Sequence, residues 1–133
     1  MNIRFLTIHC SAHPEGRDVT VAQMNAIAMQ RFRQRSYHWI ITRDGTAHRN
    51  LLDNQRGAHT GGANTGNIGI CYIGGLASDG RTCKDTRTDA QRKTLARLVE
   101  DYRRRFPQII VRGHRDWPKV AKCCPSFDVA TEL

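Results

Sequence analysis

The sequence lacks any apolar run long enough to cross a membrane, since a spanning helix needs roughly 20 such residues. Its first residues, Met1 to Arg4, also lack the basic region and following apolar segment of a secretory signal. Internal repeats, low-complexity segments and linkers are absent too. These absences predict one domain over residues 1–133, made in the cytoplasm without a signal peptide.

The chain has an odd number of cysteines, five, and no secretion signal. A framework of structural disulfides is typical of secreted domains and uses cysteines in pairs. The count therefore argues against such a framework. It favours thiols that bind metal, act in catalysis or are simply buried.

Acidic residues are scarce relative to basic ones. Twelve Asp and Glu against 21 Lys and Arg give a formal net charge of +9 and a pI near 10.0. Such a charge predicts affinity for a polyanion, whether nucleic acid, an anionic membrane face or a phosphate-rich cell wall. The arginines cluster at 31, 33 and 35 and at 103–105, at the ends of predicted helices. Cations suit the helix dipole there, which explains part of the bias without any partner.

Strand patterns predict the fold class. Runs rich in β-branched and aromatic residues predict strands over 3–9, 37–42, 46–49, 67–73 and 109–112. The pair Asp44-Gly45 is expected to supply the positive-φ positions of a hairpin turn between the second and third strands. Gly69, inside the fourth strand, indicates that another backbone or a ligand approaches closely. Strands alternating with helices, plus one hairpin, predict an α/β fold with a mixed central sheet flanked by helices.

Two helices have clear boundaries in the sequence. The first begins after Thr20 and runs to about Arg33. The second begins at a capping box over 88–91 and ends before Pro107. The residues at core spacing are Met24, Ile27 and Ala28 in the first helix and Leu95, Leu98, Val99 and Tyr102 in the second.

A structured loop near the end of the chain, residues 113–128, concentrates groups that bind metal. It contains His114, Cys123, Cys124 and two prolines, which do not suit a regular helix or a central strand. A catalytic zinc site needs three His, Cys or carboxylate ligands and an open position. The third ligand is expected from His9, at the end of the first strand, if the first and last strands are neighbours.

The residues alone leave alternatives open. Either Cys123 or Cys124 is a candidate ligand, and either is equally a candidate for a plain buried thiol. A single His at a strand end is more often a hydrogen-bonded surface residue than a ligand. The spacing of His9 and His13 matches helical zinc pairs, but Pro14 and the strand pattern before it argue against a helix.

Four blocks of the sequence resemble the zinc-dependent N-acetylmuramoyl-L-alanine amidases. This family of amidase-type phage lysozymes shares its fold with peptidoglycan recognition proteins. The resemblance runs in the same order over nearly the whole chain, from Phe5 to about Asp128. The blocks are FLTIHCSA (5–12), YHWIITRDGT (37–46), GAHTGGANTGNIGICYIGG (57–75) and GHRDWPKVAKCCPSFD (113–128).

The resemblance implies that His9, His114 and Cys124 bind one Zn²⁺. It selects Cys124 over Cys123 because the family's ligand directly precedes a Pro-Ser or Pro-Gly step. It also matches Tyr37 and Lys122 to the family's catalytic Tyr and Lys.

The other cysteines have no ligand role in this comparison. Cys10 and Cys71 match structural thiols, and the strand pleat is expected to point Cys10 to the face opposite His9. Cys83 has no counterpart in the family and is expected to be a loop thiol.

The implied substrate is peptidoglycan, cleaved between N-acetylmuramic acid and the L-alanine of the stem peptide. Lys122 is expected to stabilise the oxyanion and Tyr37 to orient water or protonate the leaving amine, or the reverse. His59 and Asn64, in a glycine-rich segment, are candidates for substrate binding. Arg43 is either a partner for a stem-peptide carboxylate or ordinary hairpin surface.

The resemblance therefore predicts a phage or prophage endolysin that acts on the cell wall after release, as a monomer. The excess positive charge is expected to hold it near anionic wall or membrane components. The alternatives are a non-lytic peptidoglycan-binding module, a protein that recycles soluble muropeptides, and a lysozyme that also regulates a polymerase. Cys124 beside Lys122 favours an enzyme, because members of the fold that do not cleave typically lack the ligand Cys. No specific nucleic acid is expected, since few aromatic residues interleave the arginine clusters.

Overall fold

The computed structural model describes residues 2–133 and confirms an α/β fold with a mixed five-stranded sheet. The sheet has the strand order β4-β3-β5-β1-β7, and β2 pairs with β6 separately. Within the described residues, no helix combines the length and apolar character needed to cross a membrane. In chain order the elements are β1 (Phe5–Cys10), β2 (His13–Pro14), α1 (Val21–Phe32), β3 (Trp39–Ile41), β4 (Ala47–Arg49), β5 (Asn67–Tyr72), β6 (Gly75–Leu76), α2 (Asp89–Arg105), β7 (Ile110–Gly113), a 3₁₀ helix (His114–Asp116) and α3 (Val129–Glu132).

Strand β1 lies between β5 and β7 and runs parallel to both. This confirms that the first and last predicted strands are neighbours. Strand β3 is parallel to β5, and β4 pairs antiparallel with β3. The carboxyl ends of β1, β5 and β7 therefore meet at one edge, where ligands bind in open α/β sheets.

Different helices cover the two faces of the sheet. Along β5, Ile70 and Tyr72 belong to the core on the α2 side, whereas Cys71 packs with Met24 of α1 on the other side. This alternation follows from the two-residue repeat of a strand. The α2 residues at the predicted core spacing are all buried: Leu95, Leu98, Val99 and Tyr102.

Helix α1 begins at the predicted cap, where Thr20 Oγ1 accepts a hydrogen bond from the backbone N–H of Gln23. Its buried stripe is narrower than predicted. Met24 and Ala28 are buried, but Ile27 is 44% exposed. Ile27 lies at the flank of the stripe and lines a surface cavity instead of the core.

The β3–β4 turn differs from the prediction at one residue. Gly45 has φ of 85°, but Asp44 is not among the residues with positive φ. The Asp44 carboxylate instead accepts hydrogen bonds from Thr42 Oγ1 and the Thr46 N–H, which closes the turn. A Cβ at Gly45 would lie 2.6 Å from Ala90 Cβ, so glycine is needed for space as well as conformation.

A disulfide joins Cys83 to Cys123, so the expectations of no disulfide and of a free Cys83 were wrong. The bond connects the loop after β6 to the segment that carries Cys124, across 40 residues of sequence. Spacing cannot reveal this pair, because only the folded chain brings the two loops together. The remaining cysteines, Cys10, Cys71 and Cys124, are free and buried.

Candidate active site

His9 and His114 leave adjacent parallel strands at the same edge of the sheet. Ile8 of β1 lies opposite Gly113, the last residue of β7. His9 and His114, the residues that follow them, therefore occupy equivalent positions. The two imidazole centroids are 4.6 Å apart. His9 is 1% exposed, whereas His114 is only partly buried.

Cys124 brings a sulfur to the two imidazoles. One potential ligand atom from each of His9, His114 and Cys124 lies within 4.8 Å of the others. His9 Nδ1 is 3.9 Å from Cys124 Sγ. Bond lengths of about 2.0 Å to nitrogen and 2.3 Å to sulfur would place two ligands of one tetrahedral zinc about 3.6 Å apart. The donor types and their spacing therefore fit zinc, with a fourth position left open.

The Cys124 sulfur is supported by β1. The backbone N–H of Cys10 donates to it at 3.1 Å. The Cys10 thiol and burial raise the pKa of the Cys124 thiol, so a thiolate here requires a cation beside it. Cys10 is not one of the three potential ligands, although it belongs to the same buried cluster as Cys124.

His59 determines which nitrogen of His9 is free for metal. His59 Nε2 lies 2.9 Å from the Asn67 carbonyl oxygen, which can only accept, so Nε2 carries the proton. The bare His59 Nδ1 is then an acceptor for both neighbouring donors, His9 Nε2 and the Thr60 hydroxyl, each at 3.0 Å. His9 Nδ1, on the side of Cys124, is left as the ligand atom.

Burial keeps these imidazoles neutral. It lowers the pKa of His9 well below the usual value, and the nearby charges of His59, His114 and Lys122 lower it further. Burial also lowers the pKa of His59 to about 3. The pKa of His114 is lowered by burial and by the Lys122 charge. Neutral imidazole is the form that binds metal.

The glycine inside β5 makes room for His59. A Cβ at Gly69 would lie 2.6 Å from His59 Cδ2. A group does approach closely, but it is the side chain of His59 and not the backbone or ligand that the sequence predicted. Asn64 Oδ1 accepts from the N–H groups of His59 and Thr60 at 3.0 and 2.7 Å, and so shapes the loop that presents His59.

Tyr37 and Lys122 border the same cavity as the three potential ligands, a space of about 180 Å³. Tyr37 lies before β3, and its ring centroid is 5.2 Å from that of His9. Burial raises the pKa of its hydroxyl well above the usual value, so Tyr37 is a neutral donor. Lys122 is exposed, and its charge acts on both histidines.

The segment 117–125, which carries Lys122, is held in place by contacts with other parts of the chain. Trp117 Nε1 donates to Thr7 Oγ1 at 3.0 Å. The Tyr72 hydroxyl donates to the Pro125 carbonyl at 2.6 Å. The disulfide adds a covalent anchor between these two contacts.

Arg43 lies away from the ligand cluster, whereas Arg31 lies beside it. Arg43 pairs with Asp18 at 2.9 Å and lines a different cavity, which supports the hairpin-surface alternative. Arg31 lines the cavity of the ligand cluster together with Phe32. Sequence reasoning missed this because Arg31 reads as one of several charges at a helix end.

Known proteins provide an independent comparison. A family model described as N-acetylmuramoyl-L-alanine amidase matches residues 1–127. The endolysin of Enterobacteria phage K11 is 30% identical over 123 residues, covering 92% of this chain and 80% of the relative.

Two solved structures share the fold. They are the N-acetylmuramoyl-L-alanine amidase LysC from Clostridium intestinale (TM-score 0.81, 22% identity, 99% of this chain and 82% of that one) and PGRP-SA of Apis mellifera (TM-score 0.77, 18% identity, 99% and 81%). At these identities the likeness extends to the fold alone.

Proposed function

The chain belongs to the N-acetylmuramoyl-L-alanine amidase family, and we propose that it cleaves peptidoglycan by zinc-assisted hydrolysis at His9, His114 and Cys124. The bond cleaved is the amide between N-acetylmuramic acid and L-alanine. The observation that carries the proposal is the convergence of two neutral imidazoles and a buried sulfur on one point at the sheet edge. The proposed role is that of a phage or prophage endolysin, in line with the K11 relative, which is an endolysin.

The metal and the protein have separate tasks in this proposal. Zinc, when bound, polarises a carbonyl group and lowers the pKa of water toward ~7. The protein keeps His9 and His114 neutral by burial. The hydrogen bond from His9 Nε2 to His59 leaves His9 Nδ1 free to bind the metal. The Cys10 N–H stabilises negative charge on the Cys124 sulfur.

Lys122 and Tyr37 complete the chemistry of amide hydrolysis. Attack of water on the amide carbon places negative charge on the carbonyl oxygen, and the Lys122 ammonium stabilises that charge. The nitrogen of L-alanine must gain a proton to leave, and we assign its transfer to the neutral Tyr37 hydroxyl. Tyr37 gives its proton to the nitrogen and takes up the proton that the attacking water loses. Because both groups border one cavity, their roles are separated by experiment below.

The remaining expectations stay predictions. His59 contacts His9 and a backbone carbonyl, and Asn64 contacts backbone N–H groups, so we assign both first to positioning. Their substrate-binding role awaits a test. So do action as a monomer, attraction of the +9 chain to anionic wall or membrane components, and the absence of a specific nucleic-acid partner.

The first experiment is digestion of purified sacculi by the wild type, Cys124→Ala and Cys71→Ala, with zinc content measured for each. We expect new L-alanine amino termini and about one zinc per chain for the wild type. Cys124→Ala should lose both. Cys71→Ala removes a buried free thiol outside the ligand cluster and should keep its zinc. Its thiol contacts the Tyr37 hydroxyl, so this variant is the control for zinc content and not for cleavage.

Two of the alternatives, recycling and binding without cleavage, have their own outcome in this experiment. Cleavage of soluble muropeptides but not sacculi would indicate recycling. Zinc without cleavage of either would indicate a binding module. Undiminished cleavage by Cys124→Ala would rule out the proposed ligand set.

A further inference from the structure

The cavity beside the ligand cluster is positively charged. Its charged lining residues, beyond the ligands, are Arg31 and Lys122. None of the residues that line the cavity is acidic. A group that enters this cavity therefore meets two cations without a neutralising carboxylate.

Arg31 is available for a ligand. It is exposed and has no ion pair among residues 2–133. Its guanidinium lies 5.1 Å from the centroid of the Phe32 ring. A cation–π contact of this kind leaves donors of the guanidinium free for a planar anion. The helix dipole favours a cation here too, but Arg33 and Arg35 share that position and do not line the cavity.

A second cavity continues from the first along α1. It has a volume of about 90 Å³ and shares Ser11, Arg31, Phe32 and Tyr37 with the first. It ends at Ile27, which is 44% exposed, beside Phe32 at 46%. Because Arg31 lines both cavities, a substrate whose reacting amide lies at the ligand cluster and whose chain extends into the second cavity contacts Arg31.

We propose that Arg31 is a specificity-determining residue that binds a free carboxylate of the stem peptide next to the cleaved bond. The inference rests on the proposed function and adds the substrate feature that the site selects. A guanidinium and a carboxylate form two parallel hydrogen bonds, and the Phe32 ring holds the guanidinium in place. A stem peptide whose carboxylate is amidated loses this pair.

The test uses two soluble muramoyl-L-alanyl peptides that differ only in a carboxylate or carboxamide on the residue after L-alanine. Arg31→Ala should lower kcat/KM for the carboxylate substrate about fivefold to tenfold, mainly through KM, since an exposed charged pair is worth ~1 kcal/mol. Cleavage of the carboxamide substrate should change less than twofold. The loss in kcat/KM for Arg31→Lys should be intermediate, because a lysine keeps the positive charge but cannot form the two parallel hydrogen bonds of a guanidinium.

Arg97→Ala is the matched control, since it removes an exposed arginine of α2 that also lacks an ion pair. Calorimetric binding of the released peptides in carboxylate and carboxamide form gives a readout independent of turnover, and zinc content should be unchanged in every variant. Equal losses on both substrates, no loss on either, or the same loss in Arg97→Ala would overturn the assignment. Failure of the wild type to cleave either substrate would instead reject the proposed function.

Discussion

The active site joins two regions that are built differently. His9 lies on β1 between β5 and β7, is almost completely buried, and is held by a hydrogen bond to His59. Cys124 and Lys122 lie on a segment without helix or strand, which depends on side-chain contacts and a disulfide for its position.

The difference indicates a division of labour. We call the region around His9 the sheet half, and the segment that carries Lys122 and Cys124 the loop half. Strand register and buried polar contacts determine the geometry of the sheet half without metal. The loop half supplies the thiolate and the ammonium, and its position depends on a few anchors. We therefore expect loss of Lys122 to act on turnover, loss of the disulfide to act on stability and turnover, and changes beneath His9 to act on metal affinity.

The largest effect is expected for Lys122→Ala, which removes the cation of the loop half. The kcat should fall about 10²–10³-fold, as for loss of an oxyanion-stabilising group, while zinc content stays unchanged. Steady-state kinetics and metal analysis test this, with Arg115→Ala as an exposed cation of the same loop. A fall in zinc content parallel to activity would show that Lys122 acts through the metal site instead.

Tyr37→Phe separates the two catalytic roles. If Tyr37 protonates the leaving amine, its loss should matter least for substrates whose leaving amine has a low pKa. Lys122→Ala should show no such dependence. The opposite pattern would exchange the assignments.

His59→Ala tests the sheet half. Without the hydrogen bond that orients His9, zinc affinity should fall about 10–100-fold, measured by competition with a chelator. Gly69→Ala should weaken zinc binding in the same direction, because its Cβ would occupy the place of the His59 ring. His48→Ala, on β4 and outside the ligand cluster, is the control. Unchanged zinc affinity in His59→Ala would mean that the β-strand alone orients His9.

Cys83→Ser releases the covalent anchor of the loop half. The unfolding free energy should fall by about 2–4 kcal/mol. Turnover should decrease several-fold, because Cys123 lies between Lys122 and Cys124. A phosphine reductant should have the same effect on the wild type and none on Cys83→Ser. If the reductant affected both equally, the disulfide would not be its target.

The smallest effect concerns pH and His38, a buried residue under the sheet half. Its Nδ1 accepts from the Gly69 N–H at 3.0 Å, and its Nε2 donates to the Gln55 carbonyl at 2.7 Å. Burial lowers the pKa of His38 in the folded protein below its unfolded value of about 6.5. The unfolded chain therefore binds more protons, and stability is lost as pH falls below about 6.5 toward the folded pKa.

The loss from His38 is at most about 1.4 kcal/mol per pH unit. Denaturant unfolding between pH 7.5 and 5 measures it, and His38→Gln should give a flatter dependence. An unchanged slope in that variant would assign the pH sensitivity to other groups.

Local patterns determined much of the fold. The Thr20 cap and the capping box at Thr88 mark helix starts, and the spacing of Leu95 and Tyr102 identifies the core face of α2. These succeed because capping and amphipathic spacing depend on residues only a few positions apart. The ligand candidates were also found, because the resemblance spans four blocks that contain all of them.

Tertiary structure decided the rest, because those features join residues far apart in the chain. The Cys83–Cys123 bond, the contact of His59 with His9 across 50 residues, and the place of Arg31 beside Lys122 have no local signal. Gly69 indicated that another group approaches the strand closely, but only the packed sheet shows that this group is His59. The sequence by itself thus determined the elements and the candidate ligands. Parallel pairing of β1 with β7 brought His9 and His114 together, because equivalent positions on neighbouring parallel strands meet at one edge.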